Sequence, residues 1–130
     1  MALIVKKFGG SSVGNIDKIK AVAKRILDEK QPDDKIVVVV SAMGDTTDDL
    51  IQLAKGITKD PYQYTREMDM LLTTGEQVSI SLLTMAFKAL GQKAISLTGA
   101  LAGVKTNSVH TKGKIKDIQP KRIFEAILLL

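Results

Sequence analysis

The segment "VKKFGGSSVGN", which begins at Val5, combines residue types that suit the binding of an anion. Gly9 and Gly10 allow the backbone to turn sharply and to expose its N–H groups. Ser11 and Ser12 add hydroxyl groups that can donate hydrogen bonds. A helix that begins just beyond such a turn presents unpaired N–H groups and a partial positive charge. These features predict a phosphate cradle, and the alternative is a tight turn in which Ser12 merely caps the helix.

Two lysines, Lys6 and Lys7, precede the glycine pair. Successive side chains of a strand point to opposite faces, so only one of the two should face the cradle. The segment lacks the patterns G-x-x-x-x-G-K-[ST] and G-x-G-x-x-G of the two best-known nucleotide loops. On local physics alone, both lysines could instead be solvated surface residues.

A second donor-rich segment, "SAMGDTTDDL", follows a run of valines. Ser41 and Ala42 are small, so a ligand could approach the backbone there. The next polar residues, Asp45, Thr46 and Thr47, are all able to cap the helix that begins at this point. The segment therefore either supplies donors to a second anionic group or is an ordinary loop with a capped helix.

The third segment, "TTGEQ", contains two overlapping capping boxes. Thr74 with Gln77, or Thr73 with Glu76, fits the pattern S/T-x-x-E/Q. If Thr74 caps and Gln77 closes the box, the carboxylate of Glu76 is left free to hold an ammonium group. The alternative is a carboxylate that only favours a helix N-terminus.

Metal chemistry has little support in the sequence. The one histidine, His110, lies in a polar loop with no carboxylate or second histidine nearby in sequence. The chain has no cysteine, which excludes disulfides, thiolate metal sites and cysteine nucleophiles. We therefore expect no metal ion bound directly by side chains.

Strand-like and helix-like stretches alternate along the chain. Strands are predicted at 2–8, 35–40 and 93–98. Helices are predicted at 14–30, at 46–58, within 65–90 and after Pro120. A loop is predicted at 99–113, followed by a short extended piece at 113–118. The run "KIVVVV" has no polar alternation, which is typical of a strand covered on both faces. The alternation predicts an α/β fold of three layers, αβα, with a mainly parallel sheet. Ligands of such sheets bind beyond the carboxyl ends of the strands, here 7–14, 41–47 and 97–104.

Length and composition narrow the choice of function. The chain has 130 residues, enough for one domain, and a net charge of +5. Its lysines are spread through helical stretches, and aromatic residues are only 4% with no Trp, so no nucleic-acid partner is expected. No apolar run approaches the roughly 20 residues of a membrane span, and the start does not resemble a secretory signal. A cytoplasmic location without membrane contact is expected.

Four segments together resemble the aspartate kinases, enzymes of the amino-acid-kinase fold: "VKKFGGSSV", "VVVVSAMGDTTDDL", "REMDMLLTTGEQVSISLL" and "KAISLTGALAG". They occur in that family's order and spacing and span roughly residues 3–105. The resemblance implies transfer of the γ-phosphate of ATP to the side-chain carboxylate of L-aspartate. The product is 4-phospho-L-aspartate, made in the first step of Lys, Thr and Met biosynthesis. It also implies Mg²⁺ held through the nucleotide, and a homo-oligomer.

The resemblance assigns roles to particular residues. Lys7 would be the catalytic lysine that contacts the ATP phosphates, and the phosphate loop would consist of Gly9, Gly10, Ser11 and Ser12. On the substrate side, Ser41 would lie near the transferring group. Thr47 and Glu76 would hold aspartate, with Glu76 on the α-ammonium. A carboxylate is already a nucleophile, so catalysis would consist of positioning and charge neutralisation.

The chain also departs from the family. Ala100 stands where relatives usually carry a larger or polar residue, and the chain stops at "AILLL". The family continues into a second half of the kinase domain, which carries the arginine for the substrate carboxylate, and then into regulatory ACT domains. Residues 1–130 are therefore expected to be the N-terminal, substrate-binding part of a truncated kinase domain, without an ACT domain and with little activity alone. The alternatives are a non-catalytic ligand-binding or subunit-pairing fragment, or a kinase of glutamate or acetylglutamate.

Overall fold

A computed structural model of the chain describes residues 2–129 and shows an α/β fold. Its strands are β1 (Leu3–Phe8), β2 (Lys35–Val40), β3 (Val104–Thr106) and β4 (Ile115–Ile118). Its helices are α1 (Ile16–Glu29), α2 (Thr46–Ile57), α3 (Thr65–Ala89) and α4 (Lys121–Leu129), with short 3₁₀ turns at Gly10–Val13 and Pro61–Gln63. Within residues 2–129, no helix is both long and apolar enough to cross a bilayer.

Strands β1 and β2 pair in parallel, from Leu3 opposite Lys35 to Phe8 opposite Val40. This confirms the predicted parallel sheet. Helices α1 and α3 cover one of its faces. The other face is exposed in the described part of the chain, with Val5 65% and Val39 46% accessible. Within residues 2–129, the valine run of β2 therefore has a helical partner on one side only.

Helix α1 supplies most of the core. Its apolar stripe, Ile19, Val22, Ala23 and Ile26, is buried together with Val13, Leu83 and Phe87. Full burial of one such aliphatic side chain stabilises the fold by roughly 1.5–3 kcal/mol. The N-cap of α1 is Asn15, whose side chain accepts a hydrogen bond from Lys18 N, so the interpretation of Ser12 as the cap is wrong.

Helix α3 is continuous for 25 residues, and this overturns both predicted capping boxes. The hydroxyls of Thr73 and Thr74 donate to the carbonyl oxygens of Met70 and Leu71, one turn earlier, as threonines within a helix commonly do. Nor does α2 have a side-chain cap: Asp45 occupies the N-cap position without a capping hydrogen bond.

The predicted end of α3 at Gly91 is confirmed. Gly91 has φ +84°, in the left-handed region that favours glycine. The N–H of Gly91 donates to Lys88 O and that of Gln92 to Phe87 O, which is the Schellman arrangement.

The predicted third strand at 93–98 is wrong, because no ladder forms there. The strands instead resume at β3, inside the predicted loop, and β3 pairs antiparallel with β4. The predicted extended piece at 113–118 corresponds to β4. At the base of this hairpin, the N–H of Gln119 donates to Gly103 O at 2.8 Å. Pro120 then precedes α4, as predicted.

Candidate active site

The carboxyl ends of β1 and β2 lie side by side. Phe8 pairs with Val40 at the last position of the ladder. Beyond it, the N–H of Ser41 donates to Phe8 O at 3.2 Å. The glycine-rich loop and the loop that begins at Ser41 therefore leave the sheet at the same edge, where ligands of parallel sheets bind.

These two loops touch through their backbones. The N–H of Gly44 donates to Gly10 O at 2.9 Å. A Cβ atom on Gly10 would lie 2.8 Å from Ala42 O and 3.2 Å from Gly44 O, so only glycine fits there. Gly44 has φ +49°. The glycines of "FGG" and "SAMG" thus let two strand-end loops meet, a role that their types alone did not indicate.

The middle of α3 packs under the same edge. A Cβ atom on Gly75 would lie 3.1 Å from Ala42 Cβ and 3.3 Å from Thr46 Cγ2. Ser79, four residues later, is fully buried. Its hydroxyl donates to Ser41 O at 2.8 Å and also lies 3.0 Å from Glu76 O. This places the turn of Glu76 beside the end of β2.

Ser79 was not singled out from the sequence. The available signal was its spacing of four residues from Gly75, which puts two small residues on one face of a helix. Such a stripe lets a helix approach another backbone closely, but it does not reveal which backbone.

The two lysines point to opposite faces of β1, as strand geometry predicts. Lys6 Nζ lies 2.8 Å from Glu29 Oε2 on α1. Hydrogen bonds from Lys6 and Arg25 lower the pKa of Glu29 to about 2. Lys7 is exposed, and among residues 2–128 it makes no ion pair or side-chain hydrogen bond. Lys6 therefore has a structural partner, while the ammonium of Lys7 is available to a ligand.

The glycine-rich loop carries two exposed hydroxyl groups, while two other donors at the loop are engaged in hydrogen bonds to it. The N–H of Ser12 donates to Gly9 O at 3.1 Å, and Lys18 Nζ donates to Ser11 O at 3.1 Å. The side chains of Ser11 and Ser12 are exposed. Lys18, missed in the sequence because it lies in the first turn of α1, brings a second cation to the loop. Such a set of hydroxyls and cations suits phosphate oxygens.

The substrate-side residues occupy separate positions on this edge. Thr47 is partly buried in the first turn of α2, next to Thr46. Glu76 is exposed on α3, and its carboxylate has no ion pair or hydrogen bond in the part of the chain that the structure describes. Within residues 2–128, no hydrogen bond joins the side chains of Lys7, Thr47 and Glu76 to one another. Helices α2 and α3 pack on the strand ends, so the elements that carry these three residues are neighbours. Their side chains are not hydrogen-bonded to one another.

Two concavities lie away from this edge. One of about 310 Å³ is lined by Lys88, near the end of α3, and by the residues from Gly91 to Ala94 just beyond it. The other, of about 410 Å³, is an apolar groove between α1 and α3. Among the residues described, no cluster of three His, Asp or Glu side chains could hold a metal ion. At the edge where β1 and β2 end, the exposed hydroxyls and Lys7 suit an anion.

Comparison with known proteins defines the class of the molecule. The amino acid kinase family matches residues 2–127, so the chain belongs to that family. It is 54% identical to the aspartokinase of Geobacillus stearothermophilus over 123 residues, which are 95% of this chain and 30% of that protein. It is also 54% identical to aspartokinase 2 of Bacillus subtilis (strain 168) over 118 residues, 91% of this chain and 28% of that protein.

A solved structure is similar as well. The crystal structure of aspartate kinase from Synechocystis matches with a TM-score of 0.68 and 57% sequence identity. The match covers 74% of this chain and 16% of that one. The chain thus spans under a third of the length of the curated relatives described here.

Proposed function

We propose that the chain is the N-terminal, substrate-binding part of an aspartate kinase domain, acting with ATP and L-aspartate. The observation that carries the proposal is the junction of two strand-end loops and the α3 turn at one edge of a parallel sheet. Relatives at 54% identity that are named aspartokinases support it. Residues 1–130 form one unit of this larger domain.

On the nucleotide side, the exposed ammonium of Lys7 contacts the ATP phosphates and offsets the charge that shifts during transfer. Gly9, Gly10, Ser11 and Ser12 form the phosphate loop. Lys18, held at that loop through Ser11 O, increases the positive potential there. Mg²⁺ is held through the nucleotide and neutralises phosphate charge when bound.

On the amino-acid side, Ser41 lies near the transferring group, and Thr47 and Glu76 hold aspartate. The carboxylate of Glu76, which has no ion pair within the described residues, is suited to the α-ammonium group because opposite charges attract. The side-chain carboxylate of aspartate attacks the γ-phosphorus, and ADP leaves. No general base is needed, so the residues position the two anions and neutralise them.

The wider setting follows from the same proposal. The reaction is the first step of Lys, Thr and Met biosynthesis and takes place in the cytoplasm. The enzyme works as a homo-oligomer, which the exposed apolar face of the β1–β2 sheet favours. That exposed face also favours the alternative of a subunit-pairing fragment, which light scattering would reveal as self-association with no binding of either substrate.

Binding of the two substrates to the 130-residue chain tests the proposal. NMR titrations with ADP and with L-aspartate should shift amides of the glycine-rich loop and of the Glu76 turn, respectively. Lys7→Ala should weaken nucleotide binding by about tenfold, and Glu76→Gln should weaken aspartate binding similarly, because each loses a charged partner.

Lys6→Ala is the matched control for Lys7→Ala, since Lys6 faces α1. Equal loss of nucleotide binding in the two lysine variants, or an equal response to glutamate and aspartate, would contradict the assignment. In an ADP-release assay we expect little turnover from this chain alone. Turnover within about a hundredfold of an intact aspartokinase would show that the remaining domain half is dispensable.

A further inference from the structure

A single carboxylate fastens the tip of the β3–β4 hairpin to α3. Asp69, on the second turn of α3, accepts hydrogen bonds from two residues that lie about 40 positions later in the chain. His110 Nδ1 lies 2.8 Å from Asp69 Oδ2. The N–H of Thr111 lies 2.9 Å from Asp69 Oδ1 and 3.1 Å from Oδ2. The lone histidine is thus paired with an acid that sequence proximity did not reveal.

The rest of the hairpin has little else to hold it. Every residue from Lys105 to Ile118 is exposed. The base is fixed by the hydrogen bond from Gln119 to Gly103. A two-stranded hairpin is marginally stable by itself, so its tip needs an anchor to keep one position. Within residues 2–128, Asp69 is the side chain on α3 that provides such hydrogen bonds.

The tip is shaped for this contact. Asn107 Oδ1 accepts hydrogen bonds from the N–H groups of Val109 and Lys114, which folds the tip back on itself. Thr111 has φ +62°, a left-handed conformation that costs energy for any residue except glycine. Such a conformation persists where its surroundings hold it, and here it directs the Thr111 N–H at Asp69.

Helical geometry then relates the tip to the candidate site. Asp69, Thr73 and Glu76 are spaced by four and three residues, so they lie on one face of α3. Seven residues of helix advance roughly 10 Å. The hairpin tip is therefore anchored on the helix face that carries Glu76, two turns away.

We propose that Asp69 is a positioning residue that holds the hairpin tip along this face of α3, where the tip forms one wall of the amino-acid pocket. The location of the pocket rests on the proposed role of Glu76. Asp69 itself contacts the hairpin and not the substrate. A freed tip would leave Glu76 more open to water, which weakens its attraction for an ammonium group.

The position of the tip can be tested without any ligand. The chain has no cysteine, so Thr73→Cys accepts a single nitroxide label between Asp69 and Glu76. In the labelled protein, amide signals of the tip should be strongly broadened. Adding Asp69→Asn should remove most of that broadening and speed hydrogen exchange of the Thr111 amide by about tenfold. Glu67→Gln, which alters a nearby exposed carboxylate of α3, is the matched control and should change neither.

Unchanged broadening in the Asp69→Asn variant would overturn the proposal, and so would its loss in Glu67→Gln. A chain that fails to fold would be recognised from its amide spectrum, and the His110→Ala variant then tests the same contact from the hairpin side, with loss of broadening again expected.

A second measurement separates this role from the proposed function. Asp69→Asn should weaken L-aspartate binding about fivefold with nucleotide affinity unchanged, and Asp69→Glu should restore part of it, because a longer carboxylate can still accept the hydrogen bonds. Full affinity for aspartate in a variant whose tip is freed would overturn the proposal that the tip forms one wall of the pocket. If the unaltered chain binds no aspartate, the proposed pocket is refuted, while the broadening still decides whether Asp69 holds the tip.

Discussion

The strand-end edge and the β3–β4 hairpin are attached to α3 in different ways. At the edge, the contacts are largely buried and each involves backbone atoms: the Gly10 backbone lies against Ala42 O, and the Ser79 hydroxyl donates to Ser41 O. The tip of the hairpin is instead held by one partly exposed carboxylate, that of Asp69, whose side chain is 36% exposed. Buried hydrogen bonds are costly to break, whereas exposed ion pairs contribute little to global stability.

This difference separates the firmly held strand-end loops from a hairpin tip that is held by fewer contacts. The glycine-rich loop and the turn of α3 that carries Glu76 are held by close backbone contacts and by the buried Ser79 hydroxyl. The hairpin tip can leave α3 at a small cost in free energy, because nothing buried is lost. Regions of low local stability are where ligand-dependent movement is found in proteins.

The largest effect on this contrast is expected from Gly10→Ala. The new Cβ atom would lie 2.8 Å from Ala42 O, and because that neighbour is backbone rather than a flexible side chain, the two loops must separate. We expect a loss of about 2–4 kcal/mol in the free energy of unfolding, measured by urea denaturation.

Gly9→Ala is its matched control. A Cβ atom on Gly9 meets nothing within 4 Å, so we expect a change within about 0.5 kcal/mol. Equal destabilisation by the two substitutions would show that loop flexibility, and not the close approach at Gly10, sets the stability of the edge.

Ser79→Ala should have the next largest effect. It removes the buried hydroxyl that satisfies Ser41 O and leaves that carbonyl oxygen without this partner. We expect a loss of about 1–3 kcal/mol. Ser81→Ala provides the comparison, since the Ser81 hydroxyl donates only to Gln77 O within the helix. A loss as large for Ser81 as for Ser79 would rule out a special role for the contact with β2.

Asp69→Asn tests the hairpin side of this comparison. Its effect on the global free energy of unfolding should stay within about 1 kcal/mol, because the pairing is partly exposed. The same substitution should expose the tip amides locally. Cooperative destabilisation of the whole chain, seen as a large drop in Tm, would mean that the hairpin belongs to the core.

Much of the fold was predictable because it depends on local patterns. The apolar stripe from Ile19 to Ile26 predicts a helix at 14–30, and the observed α1 starts two residues later and ends one residue earlier. The parallel sheet followed from the β-branched run of β2. The strand expected at 93–98 failed, because an apolar run becomes a strand only where a neighbouring edge accepts it, and that partner is not visible in local sequence.

The candidate site was predictable in part. The opposite orientation of Lys6 and Lys7 follows from strand geometry. The freedom of the Glu76 carboxylate was expected for a wrong reason, since the capping boxes do not exist and Glu76 is simply on the exposed side of a continuous helix. The contact of Asp69 with His110 joins residues 41 positions apart, so no local pattern could indicate it. The roles of Lys7, Thr47 and Glu76 remain predictions.

The smallest effect concerns the ion pair that ties β1 to α1. Lys6 and Arg25 lower the pKa of Glu29 from 4.5 to about 2, so the folded state favours the ionised carboxylate. This contribution to stability is fully present above the unfolded pKa and is lost as the pH falls towards the folded value. Urea midpoints should therefore decline between about pH 5 and pH 2, and Glu29→Gln should flatten part of that decline.

Asp28→Asn is the comparison for Glu29→Gln, because Asp28 pairs with Lys24 within the same helix rather than with β1. It should leave most of the Glu29-dependent decline in place. If both variants flatten the curve equally, the acid sensitivity belongs to the charged surface of α1 as a whole. A specific effect of Glu29 would instead agree with its pairing to Lys6 and Arg25, which keeps Lys6 on the helix side of β1 and leaves Lys7 on the opposite face.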